Sequence, residues 1–249
     1  MTQGSLQGKT ALITGGARRL GRAVALELAD HGANVVVHYR QSEREARALV
    51  DDIAARGVRA WALSADFDDP GAATGLVRQA IARAGSLDLL INNASFFPTD
   101  ELATLTFDAL VRSLRVNAWA PFALSRAMHE EVGRGHIVNL LDAKIYGEGY
   151  EDHVSYLLGK EALARLTRMA ARAFAPGFTV NAVAPGAILP PPGRDQRYLD
   201  ELGAALPLER AGTPMDIARA VIFLLESDFI TGHTLIVDGG QHLRASSHG

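Results

Sequence analysis

The sequence contains no cysteine. Disulfide cross-links, thiol nucleophiles and cysteine-ligated metal centres are therefore excluded, and no metal site is expected. Neither sign of charge is in excess. The 25 Lys and Arg against 28 Asp and Glu leave a formal net charge of −3, which gives no pull toward nucleic acid or an anionic membrane. Long apolar runs are missing too, none approaching the ~18 residues of a membrane span. The opening MTQGSLQGK lacks the apolar segment of a signal peptide. There is no internal repeat, linker or break in composition. A hydrophobic fraction of 48% is enough for an ordinary core. These absences predict a cytoplasmic protein with one domain over 1–249, acting on a small molecule, with no nucleic-acid or membrane partner.

The stretch from Lys9 to Arg22, KTALITGGARRLGR, organises the rest. Ala11, Leu12 and Ile13 read as a buried strand. Thr14-Gly15-Gly16 turns the chain, and a helical pattern starts near Leu20-Gly21. Such a strand–turn–helix points backbone N–H groups and the positive end of a helix dipole outward, which suits an anion. Gly15 can take positive φ and let a pyrophosphate approach the backbone.

Further along, strand and helix alternate. The first helix stops at His31-Gly32 and is followed by a strand at Asn34–Tyr39. Ser42 with Glu45 reads as a capping box for a helix ending at Arg56-Gly57. Strands are expected at Val58–Ala65, Leu87–Asn92, Gly135–Leu141, Phe178–Val183 and Thr234–Val237. Helices are expected at Gly71–Ala84, Thr106–Val132 with a break near Pro121, Val154–Phe174 and from Thr213-Pro214 to Glu226. The pattern predicts an α/β fold, a doubly wound, Rossmann-like parallel sheet of about seven strands with helices on both faces. Ligands of such sheets bind beyond the carboxyl ends of the strands. The segment 189–205, with Pro190-Pro191-Pro192, reads equally as a stiff surface connection and as a substrate loop.

Tyr156 and Lys160 share a face of the long helix, one turn apart. Beside a nucleotide turn they make a proton donor and its tuner. A nearby ammonium and an oxidised nicotinamide would both lower the phenol's pKa from ~10 toward neutrality. Lys160 can also hold ribose hydroxyls.

Taken with Thr14-Gly15 through Gly21, Asn92-Asn93-Ala94, Asn117, Asn181 through Pro185-Gly186, and Asp238-Gly239-Gly240, this chain resembles the short-chain dehydrogenases/reductases over essentially its whole length. The resemblance implies an NAD(P)(H)-dependent reductase. Tyr156 would be the acid and Lys160 its assistant, with Asn117 anchoring a water that continues the proton path. Asn93 and Ala94 would line the adenosine side, and Pro185, Gly186 and Ile188 would flank the nicotinamide. A homotetramer is implied as well, in which the tyrosine helix packs on its twin; the small apolar face of Ala162, Leu166, Met169, Ala170 and Ala173 fits that packing and fits core packing equally well.

Three departures from the family pattern narrow the reading. Arg19 stands where the family's glycine turn has its middle glycine, with Leu20 and Gly21 following. Ser95 replaces the glycine of N-N-A-G and is followed by Phe96-Phe97. Asp142 takes the place of the serine at the end of the fifth strand. The trio resembles pteridine reductases and bacterial dihydromonapterin reductases. Arg19 would sit over the pyrophosphate and meet a heterocycle's carbonyl. Phe96 or Phe97 would stack on a flat pterin, and the sequence leaves open which one. Ser95 would hydrogen-bond substrate or cofactor phosphate. An ionised Asp142 cannot donate to a ketone oxygen as serine does. It suits a C=N substrate instead, accepting from an N–H or sharing a proton with Tyr156.

Cofactor choice follows from the end of the second strand. Relatives that use NAD carry an acid there, whereas this chain has Tyr39, then Arg40 and Ser42, with Arg18 near by. That set favours the 2′-phosphate of NADPH. Asp66 and Phe67 would border the adenine. The resulting expectation is an NADPH-dependent pterin reductase, with a carbonyl reductase acting on a quinone or keto compound and a non-catalytic NADPH-binding regulator as the alternatives.

Overall fold

The structure, a computed structural model, describes residues 6–147, 149–191 and 193–243. Seven strands form one parallel sheet in the order β3-β2-β1-β4-β5-β6-β7. They are β1 (Thr10–Ile13), β2 (Asn34–Tyr39), β3 (Ala60–Ser64), β4 (Leu89–Asn92), β5 (Gly135–Leu140), β6 (Phe178–Pro185) and β7 (Thr234–Val237). The helices between them are α1 (Arg19–Asp30), α2 (Glu43–Ala54), α3 (Ala72–Ala84), α4 (Phe107–Leu114), α5 (Ala120–Val132), α6 (Val154–Ala173), α7 (Gln196–Ala204) and α8 (Pro214–Leu225). Among the described residues, no helix is long and apolar enough to cross a membrane.

Side chains alternate across a strand, and the two halves of that alternation build two separate cores. Ala11, Ile13, Val35, Val37, Leu89 and Ile91 point to one face, where Val24 and Leu28 of α1, Leu49 and Ile53 of α2, and Val221 and Leu225 of α8 cover them. Leu12, Val36, Leu90, Ile137 and Val180 point to the other, under Leu76 of α3, Leu124 and Met128 of α5, and Ala170 of α6. A strand buried on both faces reads as an unbroken apolar run, which is why TALI and NVVVHY were legible. Each fully buried Leu or Ile contributes about 1.5–3 kcal/mol.

One polar chain crosses the second core. Asn92 Nδ2 donates to Asn139 Oδ1 at 2.8 Å, Asn139 Nδ2 donates to Thr167 Oγ1 at 2.9 Å, and the Thr167 hydroxyl donates to Leu163 O at 2.8 Å. It ties β4, β5 and α6 together and leaves Asn92 Oδ1 buried without a partner among the described residues.

Several expectations need correction. The third strand is shorter than Val58–Ala65 at both ends. Ser42 does not cap α2 with its side chain, because its hydroxyl accepts from Arg18 Nη2 instead. The capping box lies at α8, where Thr213 Oγ1 accepts from Asp216 N and Asp216 Oδ2 accepts from Thr213 N. The helix over 106–132 changes pitch not at Pro121 but in a π-helical segment, Arg115–Trp119. Pro121 falls in the first turn of α5, where a missing N–H is harmless. The segment 189–205 contains α7, started by Asp195, whose carboxylate accepts from Tyr198 N. Pro192, of the proline run, lies outside the described residues.

Candidate active site

Strand order reverses between β1 and β4, which opens a crevice at their carboxyl ends. The glycine turn lies there. Thr14 Oγ1 accepts from Asn93 N at 3.0 Å and Ala94 N at 2.9 Å, while Asn93 Nδ2 donates to Thr14 O at 2.8 Å and Gly15 O at 3.0 Å. Asn93 and Ala94 thus brace the turn from the β4 side. Gly15 has φ +61°, and a Cβ on Gly21 would lie 2.3 Å from Gly15 O, so helix and turn meet only because that atom is absent.

Arg19 keeps the left-handed backbone of the glycine it replaces, φ +51°, at a cost of roughly 1–2 kcal/mol for a residue with a Cβ. Its guanidinium donates to Pro190 O at 2.7 Å and so fastens the proline-rich segment to the start of α1. Leu20 and Gly21 occupy the first turn of α1, which has no acidic residue and no side-chain cap.

His38 escaped the sequence reading. It is buried at the end of β2, where burial lowers its pKa to about 4 and keeps it neutral. Its Nδ1 accepts from Gly15 N at 3.1 Å, so Nε2 carries the proton and donates to Ala65 O at 3.1 Å. Its ring stacks on Phe67 at 4.6 Å. Phe67 is consequently a core residue behind His38 rather than an open adenine wall. The exposed Asp66 closes a turn by accepting from Asp68 N.

At the outer end of β2, Tyr39 is followed by a cationic group. Arg18 meets Ser42, and Arg40 stands 3.8 Å from Asp68. Asp68 is held more firmly by the fork of Arg112, which keeps its carboxyl below the usual range.

The other end of the crevice holds a phenol–carboxylate pair. Tyr156, 6% exposed, donates to Asp142 Oδ2 at 2.8 Å. Lys144 N donates to Asp142 Oδ1 at 2.8 Å, and a second phenol, Tyr150, donates to Oδ2 at 3.4 Å. Burial pushes the Asp142 carboxyl up, against the pull of Lys144 N, Tyr156, Lys160 and Tyr150. Lys160 is buried; its Nζ donates to Leu140 O at 2.7 Å, and burial lowers its pKa to about 8 against the field of Asp142. The expected lowering of the Tyr156 pKa is reversed. Burial, and then the adjoining carboxylate, raise it, because Asp142 touches the hydroxyl and Lys160 does not.

The two phenylalanines pack differently. Phe97 lies edge-on to Tyr156 at 4.6 Å, stacks on His153 at 3.7 Å and is 41% exposed. Phe96 turns away, 4.4 Å beneath the Arg112 guanidinium. Asn117 sits in the π segment and holds this turn. Its Oδ1 accepts from Ser95 Oγ and Phe96 N, both at 2.9 Å, and its Nδ2 donates to Phe96 O and Ser113 Oγ. The expected water anchor therefore has no side-chain hydrogen-bonding capacity left. His153 Nδ1 on Pro98 O, and Asp100 on the backbone N and hydroxyl of Ser155, dock the segment after Phe97 onto the start of α6. Gly186 leaves no room for a Cβ beside Asp238, and Ile188 is buried against Gly212. Pro185 ends β6 beside them.

With this geometry in place, the family profile described as enoyl-(acyl carrier protein) reductase matches residues 15–242. The chain belongs to the short-chain dehydrogenase/reductase family. Among curated members, versicolorin reductase 1 of Dothistroma septosporum is 36% identical, covering 94% of this chain and 96% of its own. The 3-oxoacyl-[acyl-carrier-protein] reductase FabG of Staphylococcus aureus is 32% identical over 94% of this chain and 98% of its own. A crystal structure of FolM alternative dihydrofolate reductase 1 from Brucella canis, complexed with NADP, aligns with TM-score 0.90 and 35% identity, covering 99% of this chain and 98% of that one.

Proposed function

We propose that this short-chain reductase is an NADPH-dependent pterin reductase that reduces a C=N bond of a dihydropterin. The observation that carries the reading is the 2.8 Å hydrogen bond from Tyr156 to a buried carboxylate, Asp142, where a serine would suit a ketone. The likeness to a dihydrofolate reductase crystallised with NADP supports it.

The crevice fits the cofactor. Gly15 and Gly21 let the turn and the start of α1 pack closely against each other and against Asn93, and the uncapped first turn of α1 offers N–H donors to a pyrophosphate. Arg18, Arg40 and Ser42 would hold a 2′-phosphate beside Tyr39, with Asp66 at the adenosine edge. Asn93, Ala94 and Ser95 would line the middle of the crevice, and Pro185, Gly186 and Ile188 its nicotinamide end. When bound, the reduced nicotinamide supplies a hydride to carbon. Tyr156 Oη gives a proton to the adjacent nitrogen, and Asp142 steers the heterocycle by accepting from its N–H groups. Phe97 is the ring placed to stack on a flat substrate. Arg19 and the segment 189–205 close over it. Lys160 holds its charge beneath the phenol and reaches the ribose. The exposed Trp119 and Met169, at the π segment and on α6, suit packing of a second copy in a homotetramer, in which Ala162, Leu166 and Ala173 would take part. Ala170 of that stripe is already in the core.

The test is NADPH consumption with dihydrobiopterin, dihydromonapterin or dihydrofolate, set beside a simple ketone. Turnover of a dihydropterin, reduced in Asp142→Ser while ketone turnover rises, supports the reading. Ketone turnover with no pterin turnover refutes it in favour of a carbonyl reductase.

A further inference from the structure

The proton that Tyr156 gives up must be replaced before the next turnover. The side-chain amide of Asn117 is fully engaged, with all four of its hydrogen bonds made to Ser95, Phe96 and Ser113. Lys160 Nζ is directed at Leu140 O and lies 5.7 Å from the centre of the Tyr156 ring. A second path leaves the phenol on the opposite side. Asp142 Oδ2 is shared by Tyr156 and Tyr150, so one carboxylate oxygen joins two hydroxyls. Tyr150 in turn lines an open cavity of about 730 Å³, with Glu101, Leu102, Ala103, Gly149, Glu151 and Asp152 around it.

We infer that Tyr150 is the outer link of a proton relay, cavity water to Tyr150 to Asp142 to Tyr156, which recharges the donor after each reduction. The inference rests on the reading of Tyr156 as proton donor. Substrate nitrogen takes the Tyr156 hydroxyl proton and leaves a phenolate. Tyr150 passes its hydroxyl proton to the Asp142 carboxylate as its own oxygen accepts one from solvent. The carboxyl so formed breaks its O–H bond and re-forms that of Tyr156, so Asp142 ends ionised as it began and the net proton comes from solvent. Burial raises the Asp142 carboxyl, against the pull of Lys144 N, Tyr156, Lys160 and Tyr150, which makes it a better proton acceptor than an exposed carboxylate. The groups acting on this chain are Tyr156 and Lys160 from α6, Lys144 after β5, Asp152 before α6 and Tyr198 of α7.

Tyr150→Phe keeps the ring and its edge contact with Phe97 at 5.7 Å and removes only the hydroxyl. With dihydropterin and NADPH, kcat is expected to fall about tenfold with KM within twofold, and a small diffusible acid such as imidazolium is expected to restore it. A merely structural role would show no such rescue. The carboxyl C=O infrared band of Asp142, assigned by its loss in Asp142→Asn, is expected to titrate at higher pH in Tyr150→Phe, because a donor to the carboxylate has gone. An unchanged kcat in an active enzyme, a loss without buffer rescue, or an unmoved infrared titration each overturns the relay. If the wild-type protein ignores dihydropterins, the pterin reading fails by itself. The infrared titration, which needs no substrate, still decides the Tyr150 link.

Discussion

Replacing Asp142 by asparagine removes one charge and almost no volume, and its effect can be worked out from the contacts. Hydrogen bonds to a charged group contribute about 1.5–3 kcal/mol, against about 0.5–1.5 for neutral partners. The short bond from Tyr156 therefore loses about 1 kcal/mol and the 3.4 Å bond from Tyr150 less, which slackens the hold on the donor by roughly tenfold. An amide also cannot pass a proton to a phenolate, and positioned acid–base groups contribute at least ~10²-fold. A fall in kcat on dihydropterin of a hundredfold or more is expected, read by NADPH absorbance under saturating cofactor. Stability should move the other way. The folded pKa of Asp142 is raised above its unfolded value, so its contribution is full below the unfolded pKa and is lost as pH rises through the folded one. Asp142→Asn should then melt higher than the wild type at neutral pH, and the gap should close below the unfolded carboxylate pKa of ~4. Full activity in a variant with the same melting curve would refute the reasoning on both counts.

Other substitutions test other parts of the crevice. Arg40→Asp should weaken NADPH binding by about 10–100-fold and NADH binding far less; equal losses, read by fluorescence titration, would remove the 2′-phosphate contact. His38→Phe leaves Gly15 N and Ala65 O without their partner and should cost about 2–4 kcal/mol in urea denaturation at pH 7. The same variant tests a pH effect. A histidine lowered from 6.5 to about 4 gives stability that is present above pH 6.5 and lost as pH falls through 4, about 3 kcal/mol in all, and that acid loss should vanish in His38→Phe. Asn117→Leu strips three hydrogen bonds from the 95–96 turn, and a fourth from Ser113, and should raise KM for the pterin about tenfold, whereas NADPH affinity stays within threefold; an unchanged KM would show that Phe97 does not depend on that clamp.

What the sequence made legible was whatever depends on near neighbours. β2 and β7 fall on the expected residues, since an unbroken β-branched run bounded by turns has few other solutions. The tyrosine helix was equally clear. Contacts between distant segments were not. Arg18 and Ser42 are far apart in sequence, and their meeting undoes a capping box that looked complete locally. His38 sits inside a strand that reads as core, and only the fold brings the Gly15 N–H to its ring. Tyr150 lies in a stretch without periodicity, so its reach to Asp142 left no trace in spacing. The different packing of Phe96 and Phe97 depends on Arg112 and His153, which come from other helices and loops.

The polar thread from Asn92 through Asn139 to Thr167 acts as an alignment key. Greasy surfaces of Leu, Ala and Val slide and roll past one another at little penalty, but a carboxamide that has found its hydroxyl cannot shift by one residue without stranding both. The long helix is thereby locked in rotation against the sheet, and the Tyr156 phenol, about three turns upstream of Thr167, is fixed with it. Swapping the trio for hydrocarbons would leave a sturdy protein whose Tyr156 points in several directions.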